Sequence, residues 1–254
     1  MRFTRAIVRT PGQSMVDGLS SAGLGKPDYE KALTQHAAYI DALELCGLEV
    51  TILPPDNAYS DSTFVEDTAL LTPACAVIMR PGAPSRRGET ETIETALRPF
   101  YSNIERIIFP GTADAGDIMM VGNHYYIGLS QRTNREGAEQ IIRILNKYDL
   151  TGSTVTLKNS LHLKSGTAYL ENEFMVLAGE FIGRPEFAEY KVIPVHETEI
   201  YAANCLWLNG TVLIAAGYNK IKKAVESCGY KTITLEMSEF RKLDGGLSCL
   251  SLRF

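Results

Sequence analysis

The chain has 254 residues and a formal net charge of -5, with 45% hydrophobic and 22% charged residues. This is a globular composition, and its acidic balance argues against nucleic acid or an anionic membrane as the main partner, since both select a basic face. No apolar run approaches the ~18 residues of a spanning helix, "MRFTRAIVRTPG" lacks the apolar core of a signal peptide, and five cysteines without a CxxC pair fit reduced thiols, so the expected compartment is the cytoplasm.

Read in chain order, "RAIVRT" is a strand, and "KPDYEKALTQHAAYIDALELCG" predicts a helix. Pro27 falls in its first turn, Ala32, Ala37, Ile40 and Leu43 recur at helical spacing, and Gly47 stops it. "LEVTILPP" reads as a strand and "DNAYSDSTFVED" as an acidic loop; "TALLTPACAVIMRPG" then forms a hairpin turning at "TPAC". "GETETIETALRPF" starts acidic, as a helix dipole favours, and ends before Pro99. A second hairpin, "DIMMVGNHYYIGL", precedes the helix "TNREGAEQIIRILNKYDL"; a third is "TAYLENEFMVLAG" and a fourth "CLWLNGTVLIAAG". The helix "YNKIKKAVESCG" closes on Gly229, and "CLSLRF" is a terminal strand.

These segments repeat. A polar loop leads into a strand, a tight turn and a second strand, then usually a helix and a further strand. The loops are "FVED" (64–67), "DAGD" (114–117), "HLKSG" (162–166), "YAAN" (201–204) and "GGLSC" (245–249), spaced by roughly 40 to 50 residues, a period that signals ring or array architectures. Five such α/β units, the last completed by the N-terminal strand, would close a ring as a single domain over residues 1–254, remove the edge that "CLSLRF" would otherwise expose, and bring the loops to one mouth. Glu66, Asp67, Asp114, Asp117, His162 and Cys249 would meet there.

A lone cysteine is more often a small buried hydrophobe than a nucleophile. Cys249 nevertheless follows Asp244, Gly245 and Gly246, which allow a sharp turn and close approach of a ligand. Of the four histidines, His36 lies in a helix, His124 in a hairpin turn and His196 in a polar connection, whereas His162 occupies in its own unit the place of Cys249 and suits general acid and base work. Glu66 and Asp67 could hold a planar guanidinium bidentately. Arg86 and Arg132, at matching places after strands, could take a carboxylate; together these groups suit an amino acid with a cationic side chain.

The stretches "RTPGQSMVDGL", "LPPDNAYSDSTFVEDTALL", "RPGAPSRRGETE", "GTADAGDIMMVGNHYYIGLSQRTNREGA", "LHLKSGTAYL", "AANCLWLNG" and "RKLDGGLSCLSLRF" span nearly the whole chain in order. In them the sequence resembles the dimethylarginine dimethylaminohydrolases of the guanidino-modifying, or amidinotransferase, superfamily. The resemblance implies a five-bladed pseudosymmetric α/β propeller (pentein) of ββαβ units. It also implies hydrolysis of asymmetric dimethylarginine, and of monomethylarginine, to citrulline and the amine through a covalent cysteine intermediate, with no cofactor and no metal. It assigns Cys249 as nucleophile, His162 as acid and then base, and Asp114 as the residue orienting His162, at a position where some members have Glu. Asp67 with Glu66 would hold the guanidinium, Arg86 and Arg132 the substrate carboxylate, and Asp61 the polar end. Leu19 would lie on a closing loop, and the Leu243 backbone would touch the amino acid end. The alternatives are a deiminase of another guanidino amino acid using the same site, and a non-catalytic amino-acid-binding member. A homodimer is compatible with the sequence, which shows no legible interface.

Overall fold

The computed structural model describes residues 2–254. In chain order its elements are β1 (Arg5–Arg9), α1 (Tyr29–Leu45), β2 (Glu49–Leu53), β3 (Ala69–Leu71), β4 (Ala76–Ile78), α2 (Glu89–Leu97), β5 (Ile104–Arg106), β6 (Ile118–Val121), β7 (His124–Leu129), α3 (Arg135–Asn146) and β8 (Thr151–Thr156). They continue with β9 (Thr167–Tyr169), β10 (Phe174–Leu177), β11 (Lys191–Pro194), β12 (Leu206–Leu208), β13 (Thr211–Ala215), α4 (Asn219–Ser227), β14 (Lys231–Leu235), α5 (Ser238–Arg241) and β15 (Leu252–Arg253). No helix among the described residues is long and apolar enough to cross a membrane.

The strands form five three-stranded sheets, each with an antiparallel inner pair and a parallel outer pair: β3-β4-β5, β6-β7-β8, β9-β10-β11, β12-β13-β14 and β15-β1-β2. An antiparallel pair needs only a tight turn, whereas a parallel pair needs a crossover, so in four of the five sheets an α-helix separates the middle and outer strands. The last sheet joins the two chain ends: Ala6 pairs with Arg253 and Ile7 with Leu252. The expected ring of five units is the observed one.

The alternation of side chains along each middle strand explains why these strands read as uninterrupted apolar runs. Ile7 points into the seam between β15-β1-β2 and β3-β4-β5, with Val65, Ala76 and Leu252, while Ala6 and Val8 point into the seam shared with Leu208 and Leu213. Val77 meets Tyr125 and Ile127 across the next seam; Tyr126 meets Met175 and Leu177 across another; Val176 meets Val212 and Ile214 across the last. The core is therefore five apolar seams rather than one centre. A one-residue slip of a middle strand would exchange the contents of two seams at once.

Two local expectations change, at Pro27 and at His124. α1 begins at Tyr29 because Asp28 caps it, its carboxylate accepting from the Lys31 N–H, which leaves Pro27 ahead of the cap rather than in the first turn. The unit containing β10 and β11 has no α-helix; the one-turn helices Gly179–Phe181 and Pro185–Phe187 make the crossover, and Phe181 and Phe187 fill the seam that a helix would otherwise cover. His124 is the first residue of β7 rather than part of the turn.

Asn209 and Gly210, the turn between β12 and β13, both have positive φ, as a two-residue hairpin requires. Asn209 also ties the β12-β13-β14 unit to the β15-β1-β2 unit: its side chain accepts from Phe3 N at 2.9 Å and donates to Phe3 O at 2.8 Å and Cys46 O at 3.0 Å. Asn209→Ala should cost about 2 kcal/mol, from lost hydrogen bonds and a less tolerated left-handed backbone, and lower Tm by about 4–8 °C in thermal unfolding. An unchanged Tm would remove this tie from the account of ring closure.

Candidate active site

Each inner strand is preceded by a short 3-10 helix: Val65–Thr68, Ala115–Asp117, Leu163–Ser165, Glu197–Ala203 and Ser248–Leu250. These are the five loops of the repeat, and the ring gathers them at one end. His162 and Asp114 sit at the N-caps of their turns, where the backbone is still extended and the side chain is free to point inward.

His162 is buried, with Nε2 at 3.2 Å from Asp114 Oδ2. The shorter side chain at position 114 therefore still reaches the ring. Asp114 is itself fixed, its Oδ1 accepting from Gly82 N at 2.8 Å and its N–H donating to Thr133 Oγ1 at 3.1 Å. Burial opposes the imidazolium, but Asp67, Asp117 and Asp114 outweigh it and push the His162 pKa up to about 9. His162 is thus a proton donor at neutral pH.

Asp67 lies against the other edge of the ring. Its Oδ1 accepts from Gly116 N at 3.0 Å, and a Cβ on Gly116 would come within 2.6 Å of that oxygen and 3.0 Å of His162 Nδ1. Only glycine permits this approach. The other Asp67 oxygen receives Arg86 Nη1 at 2.5 Å.

Cys249 is half-buried, its Sγ accepting from Gly246 N at 3.3 Å. Burial, reinforced by Glu66 and Asp67, pushes its pKa up to about 12 despite Gly246 N–H and Lys164, so the resting group is a thiol. The glycines of "DGGLSC" serve close packing: a Cβ on Gly245 would meet the Phe64 ring at 2.2 Å, and one on Gly246 would meet Asn204 at 2.5 Å.

Glu66 and Asp67, expected to act together, are split. Consecutive residues of a turn diverge, and the Glu66 carboxylate points away from Asp67 to Lys164 at 2.7 Å, Arg253 at 2.8 Å and Ser248 Oγ at 2.6 Å. Burial works against its charge, yet Lys164 and Arg253 outweigh it and hold its pKa below the usual range. With both oxygens engaged, Glu66 supports the site from behind and leaves Asp67 as the inward-facing acid.

The two arginines also differ. Arg86 is 5% exposed, and its guanidinium is committed to Asp67, to Glu89 and to the carbonyls of Asp61 and Phe64. Arg132 is half-buried and its side chain makes no hydrogen bond or ion pair among the described residues, although its charge reaches Asp61. Arg132 is therefore the arginine with open capacity for an anion.

The Asp61 Oδ1 accepts from Leu19 N at 3.0 Å, which anchors the loop carrying Leu19. The same loop is held further along, where Ser20 Oγ donates to Lys242 O and Ser21 N to Asp244 Oδ2, each at 2.5 Å. Leu19 is exposed while Leu243 is buried beneath the loop near Gly18. A cavity of about 350 Å3 under it touches Leu24, Asn204, Asp244 and Gly246.

Asp117 was expected at the mouth without a role, and three further members, Asn204, Lys164 and Arg253, were not singled out. Asp117, also buried, accepts from Leu163 N at 3.0 Å, Ser130 Oγ at 2.6 Å and Thr133 Oγ1 at 2.7 Å, so it braces both the backbone beside His162 and the threonine that holds Asp114. Asn204 joins the turns of two other units through Lys164 O and Ser248. Lys164 and Asn204 lie within the recurring loops, and their place there was the available signal. Arg253, in the terminal strand, had none.

With this geometry in hand, three comparisons identify relatives. A family model for eukaryotic N,N-dimethylarginine dimethylhydrolases matches residues 25–183. The N(G),N(G)-dimethylarginine dimethylaminohydrolase of Pseudomonas aeruginosa is 55% identical over 253 residues, covering 99% of this chain and 100% of its own. The crystal structure of the Pseudomonas enzyme's C249S variant complexed with citrulline superposes with a TM-score of 0.99 at 55% identity, over 100% of both chains. A dimethylarginine dimethylaminohydrolase H162G adduct with S-methyl-L-thiocitrulline matches with a TM-score of 0.98 at 55% identity, over 99% of this chain and 100% of that one. The chain belongs to the dimethylarginine dimethylaminohydrolase family.

Proposed function

We propose that the protein hydrolyses asymmetric dimethylarginine, and monomethylarginine, to citrulline and dimethylamine or methylamine, with Cys249 as nucleophile. One observation carries the assignment of roles: a histidine kept protonated by Asp67, Asp117 and Asp114 shares a mouth with a cysteine whose sulfur accepts from the backbone N–H of Gly246. The citrulline complex and the thiocitrulline adduct of the relatives support it, and the positions named in those variants, 249 and 162, coincide with Cys249 and His162 here.

Asp67 holds the substrate guanidinium against Cys249. The guanidinium is a delocalised and poor electrophile, so fixed orientation and a thiolate are both needed. Its positive charge, arriving beside Glu66 and Asp67, offsets the carboxylates that add to burial in keeping the thiol neutral and lets Sγ pass its proton to solvent, from which the expelled thiolate recovers one at the end of the cycle. Sγ attacks the central carbon, and the C–N bond to dimethylamine breaks as His162 gives the leaving nitrogen its proton. Neutral His162 then takes a proton from water, whose oxygen attacks the thiouronium carbon and expels the Cys249 sulfur, leaving citrulline. Arg132 takes the substrate carboxylate, with Arg86 adding its charge from behind Asp67, and Asp61 ties the Leu19 loop over the amino acid end near Leu243. The five free cysteines support a cytoplasmic setting.

Citrulline release from asymmetric dimethylarginine, monomethylarginine, arginine and agmatine at equal concentrations tests the reaction. Turnover of the methylated arginines is expected; turnover of arginine alone would make the protein a deiminase. Cys249→Ser should reduce turnover by at least about 10³-fold at an unchanged Tm. Residual activity near wild type would end the nucleophile assignment.

Arg132→Ala should raise KM for methylated arginines by about 10–100-fold, the worth of one charged hydrogen bond, with kcat little changed. An unaltered KM would place the carboxylate elsewhere.

The proton on His162 can be followed directly by NMR titration of the four histidines. Its raised pKa means that the charge is kept below pH 9 and lost as pH rises through about 9, while His36, buried without compensating charges, titrates near 4. Asp117→Asn removes one of the stabilising charges, so the His162 midpoint should fall and kcat should drop about tenfold or more through the loosened Leu163 anchor. A midpoint that stays at 9 would show that Asp114 and Asp67 suffice.

A further inference from the structure

A second cavity, about 420 Å3, is not lined by Cys249. Its walls are the inner strands and hairpin turns, including Leu70, Met119, Tyr169, Trp207 and Phe254, and neither Cys249, His162, Asp67 nor Asp114 lines it. The inner strands run away from the catalytic turns, so this cavity opens at the other end of the ring. Its volume is in the range of small-molecule sites.

The floor is the layer behind the active site. Glu66 there meets Lys164, Arg253 and Ser248, so two cations face one carboxylate. The charged residues lining the whole cavity are Arg2, Arg5, Lys164 and Arg253 against Glu66 and Glu171, and with Arg5 paired to Glu49 at 3.3 Å three cations remain against two carboxylates. In a chain of net charge -5 this is a local reversal of sign. Of the three N–H groups of Lys164, one has a partner, Glu66. The indole N–H of Trp207, on the wall, is buried without a partner. Cationic excess at the end of an apolar chamber is costly in a low dielectric and is relieved by an anion, not by a neutral or cationic guest.

We propose that this cavity binds an amphipathic monocarboxylate, its apolar body lying along the inner strands and its carboxylate on Lys164, beside Arg253, whose guanidinium is already held by Glu66, Ser248 O, Ser251 O and Ser251 Oγ. Because the cavity and the catalytic mouth lie on opposite sides of the Glu66 layer, the proposal does not depend on the substrate assigned above.

Trp207 is the only tryptophan and reports on the cavity directly. Octanoate, octan-1-ol and octylamine are titrated against the full chain while its fluorescence is followed. Octanoate should give a saturable change at least about tenfold tighter than either other probe. Lys164→Met should remove that preference. Ala168→Leu and, separately, Leu70→Phe, which fill the chamber, should abolish the response, each variant being checked for an unaltered melting transition. Equal responses to the three probes, no response to octanoate, or an octanoate preference that survives Lys164→Met would each overturn the proposal.

Discussion

Cys249 stands three residues before β15, and its place in the site is set by how that strand is held. Both Thr4 N and Arg5 N donate to Phe254 O at 2.9 Å, Phe254 N donates back to Arg5 O at 3.0 Å, and the Phe254 ring packs on Phe100 and Tyr101 at 5.1 and 5.5 Å. These contacts join β1 and β15 to each other and to the β3-β4-β5 unit. The partners of Cys249 in the mouth come from turns at 65–68, 115–117 and 163–165, far away in sequence. No local interaction could bring a terminal cysteine to them; the closed ring does, and the five seams then make its geometry a property of the whole core rather than of one loop.

The closed mouth concentrates negative charge, and that has opposite effects on its two reactive groups. Asp67, one of the carboxylates that raise His162 to about 9, also joins burial and Glu66 in raising Cys249 to about 12. A free enzyme therefore holds a ready acid and an unready nucleophile. The missing charge is positive, and a guanidinium supplies it. Selectivity for a cationic substrate follows from this conflict as much as from shape, since a neutral ureido group would leave the thiol protonated.

Much of this was legible in the sequence because the repeat is carried by turn chemistry and strand alternation, both local properties. Four helices, the hairpins and the five inward loops can be read that way, and Cys249, His162, Asp67 and Asp114 fall on those loops. The crossover at 178–190 could be read only as lacking a helical pattern, since Phe181 and Phe187 do their packing in irregular backbone. Side-chain direction was not legible at all. Glu66 and Asp67 are adjacent acids with the same expected role until the turn sends them to different layers, and Arg86 looks as available as Arg132 until Glu89, three residues on, is seen to claim it.

The divergence of Glu66 and Asp67 gives the ring two chemically distinct ends separated by one side chain's depth. Asp67 faces the reacting groups; Glu66, with Lys164 and Arg253, forms the partition behind them. A buried carboxylate with only one cation would raise its own pKa or draw in water, and either would disturb the thiol beside it. Two cations keep Glu66 ionised and dry, at the cost of an excess positive charge facing the other way. The far cavity inherits that excess, so its electrostatic character is a consequence of how the catalytic side is stabilised, and a change at Lys164 should be felt at both ends of the ring.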